Sequence, residues 1–588
     1  MTEYHNPQED PGAQKRMMLA FMLIFAAVFV MQLFLPKPQQ PPKSQQPGQQ
    51  QQTSQPGPTG AATPAAAAVA KPGASATKAG PKGETKQAAA ESETVLENDF
   101  YRITFTNRGA LVKSWILKKY KDDKNRPLDL VNASAAGSYG NPLSLFASDK
   151  ELEKKLNESL YVITQGASGE VQFDFSDGDV TARKTFRPDH MYVVDVDTEV
   201  TRAGQGITVL PQWPAALGDQ VTAGAYAQAR IDWNQNGSVE RKPAFSGNFI
   251  TGRKWVANGQ AFNGPFSWTA LVDQYFSVAF MPQRPDGTQL VTFHNQIEIP
   301  RNASKPDEAK DKASVLGFAL GQTNGSSKLR VFAGPKAVDV LESTQAQPGG
   351  PDLRGVLDFG TFGFIAKPLF LWLKWTHEHM IPNWGWAIAF LTLVITMALL
   401  PLRISSQKSM LKMQKIQPQI KAITEKYKRY SMTDPRRQDM QKEMSELYKR
   451  EGVNPVGGCF PMLLQMPFLF AFYSMLGNAI ELRQANWLWI HDLSATDPYH
   501  ILPIAIGLSM FVMQRSTPQT GMDPAQQKMM NFLGPVMLGG FSWGMPAGLC
   551  VYWAISNLLG WFQQFFLNRS ELAQQVRKSQ ERRASRKK

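Results

Sequence analysis

A chain of 588 residues is too long for a single hydrophobic core, so we expect several regions in different environments. Lysine and arginine number 63 against 49 acidic residues, and the net charge of +14 suits contact with nucleic acid, anionic lipid or a ribosome. The two cysteines, Cys459 and Cys550, lie in apolar stretches far apart in the chain, which excludes a disulfide framework and a thiolate metal site.

The amino-terminal region contains one predicted membrane anchor. The apolar run 17–35 follows Lys15 and Arg16 and approaches the ~20 residues that span a bilayer. A signal peptide is the alternative, but its apolar core usually has only about 7–15 residues and ends at a small-residue cleavage site. We therefore predict a cytoplasmic segment and an uncleaved anchor in 1–35. Residues 36–91 are mostly Pro, Gln, Ala, Gly, Ser, Thr and Lys, a composition that predicts a disordered linker.

Short alternating runs from 92 to 345 predict a domain of β-strands. The runs 101–106 and 192–197 alternate apolar and polar residues, which is typical of half-buried strands. Further apolar runs cover 171–175, 269–280 and 291–299. Together they predict a large antiparallel β-sandwich, an architecture that also suits sugar-binding or sugar-isomerising proteins. His190 and His294 show no convergent partners, so we identify no catalytic residue.

Apolar helices are predicted for most of the remaining chain. Residues 346–380 mix apolar and aromatic residues with lysine and histidine, which indicates an amphipathic helix along a membrane surface. Five apolar stretches follow, at 384–402, 459–480, 500–513, 532–543 and 546–567. The third and fourth are shorter than the ~20 residues of a full span, which favours a thinned bilayer, tight packing or helices that continue beyond the apolar boundary. With the anchor, these stretches predict six spans.

Positive charge is concentrated in two segments of the carboxy-terminal half. Residues 403–455 contain thirteen lysines and arginines, and the tail 568–588 contains eight against two acidic residues. Because basic loops remain in the cytoplasm, we predict that both termini are cytoplasmic and that the β-domain is periplasmic. Apolar residues three and four apart predict a helical hairpin in 403–455, with Pro418 kinking or interrupting its first helix. Gly452, after Lys449 and Arg450, is predicted to end the second helix. These basic segments suit either a topological role or contact with a ribosome or nascent chain.

Closely spaced motifs cover most of 384–567. They include Asn383-Trp384-Gly385-Trp386, Asn454-Pro455-Val456-Gly457-Gly458-Cys459-Phe460-Pro461-Met462-Leu463-Leu464-Gln465-Met466-Pro467, Trp489-Ile490-His491-Asp492-Leu493-Ser494 and Pro546-Ala547-Gly548-Leu549. In this combination the chain resembles the YidC/Oxa/Alb family of membrane protein insertases, in the Gram-negative form with a large periplasmic domain. The β-domain and linker match that family in arrangement more than in motif.

The resemblance implies a five-helix insertase core, 381–567, that encloses a hydrophilic groove within the membrane. Such a groove inserts and helps to fold inner-membrane proteins without ATP or cofactor, because hydration lowers the cost of bringing polar segments into hydrocarbon. The implied partners are nascent membrane proteins, the Sec translocon, the ribosome and membrane lipids, with no DNA. The chain is therefore not predicted to be an enzyme, and no metal ligand is expected.

The candidate groove residues are polar or aromatic positions in the core spans: Thr392, Thr396, Arg403, Gln465, Tyr552, Trp553, Ser556 and Asn557. The first three recur at intervals of four and seven residues, which predicts one helical face. The resemblance implies that Thr392 is a groove threonine and that Tyr552-Trp553 is an aromatic contact pair, with tryptophan where a second tyrosine is common. A threonine can instead bond the carbonyl four residues earlier in its own helix.

One position departs from the family pattern. Counting from Asn383-Trp384-Gly385, the arginine that the family places inside the groove falls on Thr396. Arg403 is a candidate substitute for this charge. However, Arg403 follows Pro401 at the predicted cytoplasmic end, where a snorkelling or topological role is equally compatible with the sequence.

Two other classes of function compete with an insertase. A membrane-anchored periplasmic carbohydrate-binding or mutarotase-like protein would need only the β-domain, and the six predicted spans and core motifs argue against it. A transporter is disfavoured because the predicted spans contain no relay of Asp or Glu and no paired broken-helix repeat.

Overall fold

The computed structural model describes residues 84–569 and 574, except 123, 167–168, 221–222, 244, 247–253, 256, 301–309, 347–349, 428–429, 431–435, 454–459 and 517–523. The predicted anchor, most of the predicted linker and nearly all of the basic tail lie outside the described residues. The first six residues of the motif that begins at Asn454 also lie outside them. Within the described residues, a β-rich part precedes a helical part.

The β-rich part alternates short and long strands with three helices. Its elements are β1 (Glu93–Glu97), β2 (Tyr101–Thr106), β3 (Leu111–Lys121), β4 (Pro127–Asp129), α1 (Ala133–Tyr139), β5 (Ser144–Phe146), α2 (Lys150–Glu158), β6 (Val162–Gln165), β7 (Val171–Ser176), β8 (Val180–Pro188), β9 (Val193–Arg202), β10 (Gln205–Gly206), β11 (Leu210–Trp213), α3 (Ala223–Ala227), β12 (Arg230–Gln235), β13 (Ser238–Pro243), β14 (Phe245–Ser246), β15 (Lys254–Trp255), β16 (Gln260–Asn263), β17 (Trp268–Val272), β18 (Phe276–Pro282), β19 (Thr288–Pro300), β20 (Lys310–Gln322) and β21 (Ser326–Pro335).

The strands pair in antiparallel fashion throughout the described part of the chain. One sheet has the order β13-β12-β17-β18-β21-β9-β8-β7-β6, with β10 on β9, and a second has the order β16-β19-β20-β11-β5. The strands β1 to β4 form a third sheet in sequence order, and β14 pairs with β15. The two large sheets share an apolar core, in which Phe280 of β18 and Phe318 of β20 have ring centroids 4.8 Å apart. The predicted antiparallel β-rich domain is therefore confirmed.

The apolar run 269–280 is two strands, although the sequence predicted one run. The carboxylate of Asp273 accepts hydrogen bonds from the backbone N–H groups of Tyr275 and Phe276, at 2.8 and 2.6 Å, and so stabilises a tight turn between β17 and β18. Both strands are fully buried, so no alternation marks the turn between them.

A lysine is buried in the core of the β-rich part. The side chain of Lys184 on β8 is 1% exposed, and its ammonium donates to the carbonyls of Gly109, Ala110 and Leu143 at 2.8, 3.2 and 2.8 Å. Burial lowers the pKa of Lys184 to about 7. The three carbonyl oxygens replace the hydration shell of the ammonium, so Lys184 ties β8 to two neighbouring loops.

The helical part follows β21. Its elements are α4 (Val338–Ala346), a short 3-10 helix (Leu353–Val356), α5 (Gly363–His379), α6 (Trp384–Ala398), α7 (Leu400–Lys426), α8 (Arg436–Arg450), α9 (Phe460–Asn478), a second 3-10 helix (Ile480–Leu482), α10 (Ile501–Ser516), α11 (Pro524–Ser542) and α12 (Ala547–Asn568). Helix α10 packs against α11 and α12, α12 packs against α6, and α5 packs against α9. Helix α11 begins eight residues before the apolar run at 532. This agrees with the predicted alternative that helices continue beyond the apolar boundary.

Helices α6 and α7 are separated by a bend of 55°. Within the described residues, this bent pair satisfies the length and hydropathy requirements of a membrane span, and no single helix does so alone. Helix α7 runs through Pro418 without a break, so the interruption predicted there as one alternative is wrong, and the kink stays a prediction. An apolar cluster that includes Ile416 and Leu447 joins α7 to α8, and Gly452, with a φ of 60°, ends α8 as the sequence predicted.

The loop between α9 and α10 connects the helical part to the β-rich part. Ile480 lies in the apolar core of the β-sheets and is 4% exposed. The side chain of Gln274, in the turn between β17 and β18, donates to the carbonyl of Gly477 at 2.9 Å. The guanidinium of Arg483 lies 5.4 Å from the ring centroid of Phe276. The β-rich part therefore holds the last turn of α9 by a hydrogen bond, and the loop after it by apolar and cation–π contacts.

Candidate substrate groove

Three of the candidate residues form a hydrogen-bonded chain across three helices. Nη2 of Arg403 on α7 donates to Oε1 of Gln465 on α9 at 2.7 Å, and Nε2 of Gln465 donates to the hydroxyl of Tyr552 on α12 at 3.2 Å. The Tyr552 ring is 4% exposed and stacks on Phe472, with centroids 4.1 Å apart. The chain places a cation, an amide and a phenol next to one another among apolar helices.

The position of Arg403 depends on the bend between α6 and α7. Helix α6 ends at Ala398, and Pro401 occupies the first turn of α7, where its missing N–H group leaves no bond unmade. Arg403 follows in that first turn, and its N–H donates to the carbonyl of Leu399 at 3.0 Å. The prediction that Arg403 shares one helical face with Thr392 and Thr396 is therefore wrong, because the 55° bend separates them.

Both threonines of α6 are buried. Thr392 is 1% exposed, and its hydroxyl donates to the carbonyl of Ile388 in its own helix at 2.7 Å. Thr396 is 8% exposed. Thr392 therefore bonds a carbonyl of its own helix, which was one of the two alternatives from the sequence. Its hydroxyl oxygen keeps the capacity to accept a further hydrogen bond.

A second polar contact joins α12 to α10. Nδ2 of Asn557 donates to the hydroxyl of Ser509 at 3.3 Å, and that hydroxyl donates to the carbonyl of Ile506 at 3.0 Å. Trp553 and Ser556 are half-buried on the same helix, and Trp553 packs against the apolar core of the helical part. Ser509 was not identified from the sequence, where an isolated serine inside the apolar run 500–513 was its only signal.

The end of the helical part that faces the β-sheets is tightly packed. A Cβ atom on Gly385 would lie 2.2 Å from Cγ of Trp487, so only glycine fits where α6 meets the α9–α10 loop. Asn383 caps α6 by accepting from the N–H of Trp386 at 3.1 Å, and its amide donates to the carbonyl of Asn486 at 2.9 Å. The motif Asn383-Trp384-Gly385-Trp386 therefore attaches α6 to this loop.

The same loop is bonded to the first turns of α10 and α12. The N–H groups of Ala547 and Gly548 donate to the carbonyls of Ala495 and Leu493, at 2.7 and 2.8 Å. Asp497 accepts from the backbone of Leu502 at 2.7 Å, which caps α10. One loop therefore fixes the ends of α6, α10 and α12, and two of these helices, α6 and α12, carry candidate groove residues.

Comparison with known proteins identifies this architecture. A family model described as "60Kd inner membrane protein" matches residues 375–575, and a model described as "YidC periplasmic domain" matches 93–372. The two matched segments correspond to the helical and β-rich parts. The chain is therefore an inner-membrane protein with a periplasmic domain.

Curated relatives give the family. Membrane protein insertase YidC of Citrifermentans bemidjiense is 31% identical over 82% of this chain and 86% of its own, and that of Ralstonia nicotianae is 32% identical over 85% and 87%. The Wolinella succinogenes protein of the same name is 43% identical, and the match spans about half of each protein, 52% of this chain and 51% of its own. The chain belongs to the YidC family of membrane protein insertases.

Solved structures give weaker matches. The structure titled "Active YidC insertase crystal structure with the first transmembrane domain resolved" is 19% identical, with a TM-score of 0.33, over 83% of this chain and 94% of that chain. A galactose mutarotase-like protein from Lactobacillus casei is 12% identical, with a TM-score of 0.28, over 42% of this chain and 100% of that chain.

Proposed function

We propose that this insertase brings nascent membrane proteins into the inner membrane through a hydrophilic groove lined by the Arg403–Gln465–Tyr552 chain. The observation that carries the proposal is the continuous hydrogen bonding of these three side chains across α7, α9 and α12. Thr392, Thr396, Trp553, Ser556 and Asn557 complete the proposed lining. Hydrogen-bonding groups in this position lower the desolvation cost of a polar substrate segment.

The charge of Arg403 is available to a substrate. Within the described residues, its hydrogen-bond partner is a neutral amide and no carboxylate forms an ion pair with it. A half-buried guanidinium without a counter-ion attracts negative charge, so an acidic segment of a nascent chain can take the place of Gln465 at Nη2. Arg403 thereby substitutes for the arginine that the family pattern places at Thr396.

The membrane arrangement belongs to the same proposal. We place 1–35 as a cytoplasmic segment and anchor, 36–91 as a linker and 92–345 as the periplasmic β-domain. The interfacial helix is 346–380, the five-helix core is 381–567 with the hairpin 403–455, and the basic tail is 568–588. Six spans then leave both termini in the cytoplasm. The charge of the hairpin and tail supports this arrangement, and labelling of single cysteines from the periplasmic side of intact cells tests it.

We further propose that the basic hairpin and tail contact the ribosome and that the core works alone or beside the Sec translocon. The support is the number of basic residues on these segments, which would act on rRNA through counterion release. Removing the tail after Arg569 should weaken co-sedimentation with ribosomes, and the difference should shrink as salt increases. An equal bound fraction at low salt would assign the tail to topology.

Reconstitution into lipid vesicles tests the groove itself. Gln465→Met keeps the length of the side chain and removes both of its hydrogen bonds, so we expect slower insertion of a short nascent membrane protein. Gln564→Met is the control, because Gln564 is a glutamine of the helical part, 4% exposed on α12, that donates to Asn568 in its own helix. Equal insertion by both variants would show that the Arg403–Gln465–Tyr552 chain takes no part in insertion.

A further inference from the structure

An apolar groove of about 330 Å³ runs between α10 and α11. Its lining includes Pro503, Gly507 and Phe511 on α10, and Phe532 and Gly540 on α11, with Trp543 directly after α11. None of these residues belongs to the proposed substrate groove. The lining is apolar along its whole length, so the groove suits a hydrocarbon ligand.

The groove exists because two helix backbones approach each other closely. A Cβ atom on Gly539 would lie 3.5 Å from Cα of Gly507, and a Cβ atom on Gly507 would lie 3.3 Å from the carbonyl oxygen of Pro535. Glycine at these positions leaves no side chain to cover the seam. A Cβ atom on Gly540 would meet no atom within 4 Å, so the space beside Gly540 is open.

The length of the groove matches one leaflet of a bilayer. From Pro503 to Phe511, α10 rises ~12 Å at ~1.5 Å per residue, and half of a ~30 Å hydrocarbon layer is ~15 Å. Phe511 and Phe532 stand at the end of the groove away from the β-sheets, and Phe532 is 68% exposed. A lipid acyl chain ends at the middle of a bilayer, whereas a spanning helix needs a surface across both leaflets.

The other end of the groove carries polar ring nitrogens. His500 stacks on Trp543 with centroids 4.2 Å apart, and within the described residues its buried Nδ1 has no hydrogen-bond partner. This end lies next to the α9–α10 loop, which contacts the periplasmic β-domain through Ile480 and Arg483. Tryptophan and histidine at the membrane–water boundary can donate N–H groups to lipid phosphate while their rings remain in the apolar layer.

We propose that this groove binds one phospholipid of the periplasmic leaflet. One acyl chain lies along Gly507 and Gly540 and ends at Phe511, and the phosphate accepts a hydrogen bond from His500 in the tautomer that carries its proton on Nδ1. The site lies outside the proposed substrate groove. Its assignment to the periplasmic leaflet uses only the location of the β-domain on the periplasmic side of the membrane.

Native mass spectrometry of the full-length protein with dioleoyl phosphatidylethanolamine tests the site. We expect one retained phospholipid on the wild type and its loss in Gly540→Leu, because the leucine side chain fills the open space beside Gly540. Leu558→Phe adds a similar bulk to α12 at a position that is 59% exposed and outside the groove, so it should retain the lipid. Equal retention by Gly540→Leu and the wild type would overturn the proposal, as would equal loss in both variants.

Two further arms identify the ligand chemistry. Dioleoyl glycerol has the same chains and no phosphate, so it should be retained less than the phospholipid on the wild type, and equally with it on His500→Phe. Equal retention of both lipids by the wild type would overturn the role of His500. A photoreactive residue in place of Ile504, which also lines the groove, should label phospholipid in cells. Labelling of a protein helix instead of a lipid would overturn a lipid occupant.

Measuring substrate insertion with the same protein preparations distinguishes a failure of this inference from a failure of the proposed function. Gly540→Leu should insert substrate at the wild-type rate while it loses the lipid. Absence of insertion by the wild-type protein would count against the proposed function and leave the lipid measurement intact. Loss of insertion together with the lipid would show that this groove belongs to the substrate path, contrary to the site proposed here.

Discussion

The guanidinium of Arg403 donates a 2.7 Å hydrogen bond to the side-chain carbonyl of Gln465, from the first turn of α7 to α9. The two residues are 62 positions apart in the chain. Because the amide is neutral, the contact orients the guanidinium without cancelling its charge. A charge held in this way can distinguish substrates by the sign of their translocated segments.

Arg403→Ala should slow the insertion of substrates with acidic translocated tails roughly fivefold more than the insertion of substrates with neutral tails. This difference is equivalent to ~1 kcal/mol of charge attraction. Protease protection of matched acidic and neutral substrates measures the difference. Arg403→Lys is the control that keeps the charge, and Thr396→Arg added to Arg403→Ala should recover part of the lost preference. Equal effects on both substrates would make Arg403 a boundary residue.

Ile480 links the stability of the helical part to the β-domain. Ile480→Ser in the full-length protein should lower the free energy of unfolding by about 2–4 kcal/mol, because it leaves a cavity and buries a hydroxyl. In a chain that lacks 92–345, the same substitution should leave the free energy of unfolding unchanged, and this chain should keep its insertion activity. Thermal unfolding of both backgrounds measures this, with Val95→Ser, 38% exposed on β1, as the control in the full-length protein. An equal cost in both backgrounds would show that Ile480 acts within the helical part alone.

The raised pKa of Glu481 predicts that the folded protein loses stability as pH rises. Burial is the largest influence and raises the pKa of Glu481 to about 7, with Lys374 lowering it and Glu378 raising it. The folded state therefore binds this proton more tightly than the unfolded state, whose pKa is about 4.5. The stabilisation is fully present below about pH 4.5 and is lost as pH rises through about 7.

Glu481→Gln should remove this dependence and raise the melting temperature at pH 8 relative to the wild type. The difference between the two proteins should be smaller at pH 5. Glu446→Gln, an exposed position on α8, is the control and should follow the wild type at both values. Parallel melting curves for Glu481→Gln and the wild type from pH 5 to pH 8 would contradict the assignment.

Lys184→Met should lower the free energy of unfolding of the β-domain by about 3 kcal/mol, because three carbonyl oxygens lose their common donor. Lys113→Met is the matched control, since the Lys113 side chain is 46% exposed and its ion pair with Glu93 is at the surface. That change should stay within about 0.5 kcal/mol. Similar melting temperatures for the two variants would show that water replaces the ammonium at Lys184.

Local patterns predicted local structure well. Alternation located β2, and apolar spacing with Gly452 located the end of α8. The sequence could not reveal the turn at Asp273, because both flanking strands are buried and lack alternation. It could not reveal the bend after Ala398 either, since Pro401 is compatible with the first turn of a new helix and with a kink.

Long-range contacts account for most of what the sequence left undetermined. The pairing of Arg403 with Gln465 joins helices that the hairpin separates, and no local pattern specifies such a partner. Ser509 carried no motif, and its contact with Asn557 depends on how α10 packs against α12. Ile480 appeared to be the end of an apolar span, whereas it packs into the β-domain.

The contact of Gly385 with Trp487 gives a family motif a packing role, whereas the proposed substrate preference depends on other residues of the same helix. The Asn383-Trp384-Gly385 motif is needed for steric reasons at the end of α6 near the β-domain, and any larger residue at 385 would displace an indole. The proposed groove position Thr396 lies on the same helix, three turns away, and takes no part in that contact. Two insertases can therefore share every recognition motif and still differ in the charge that they offer to a nascent chain.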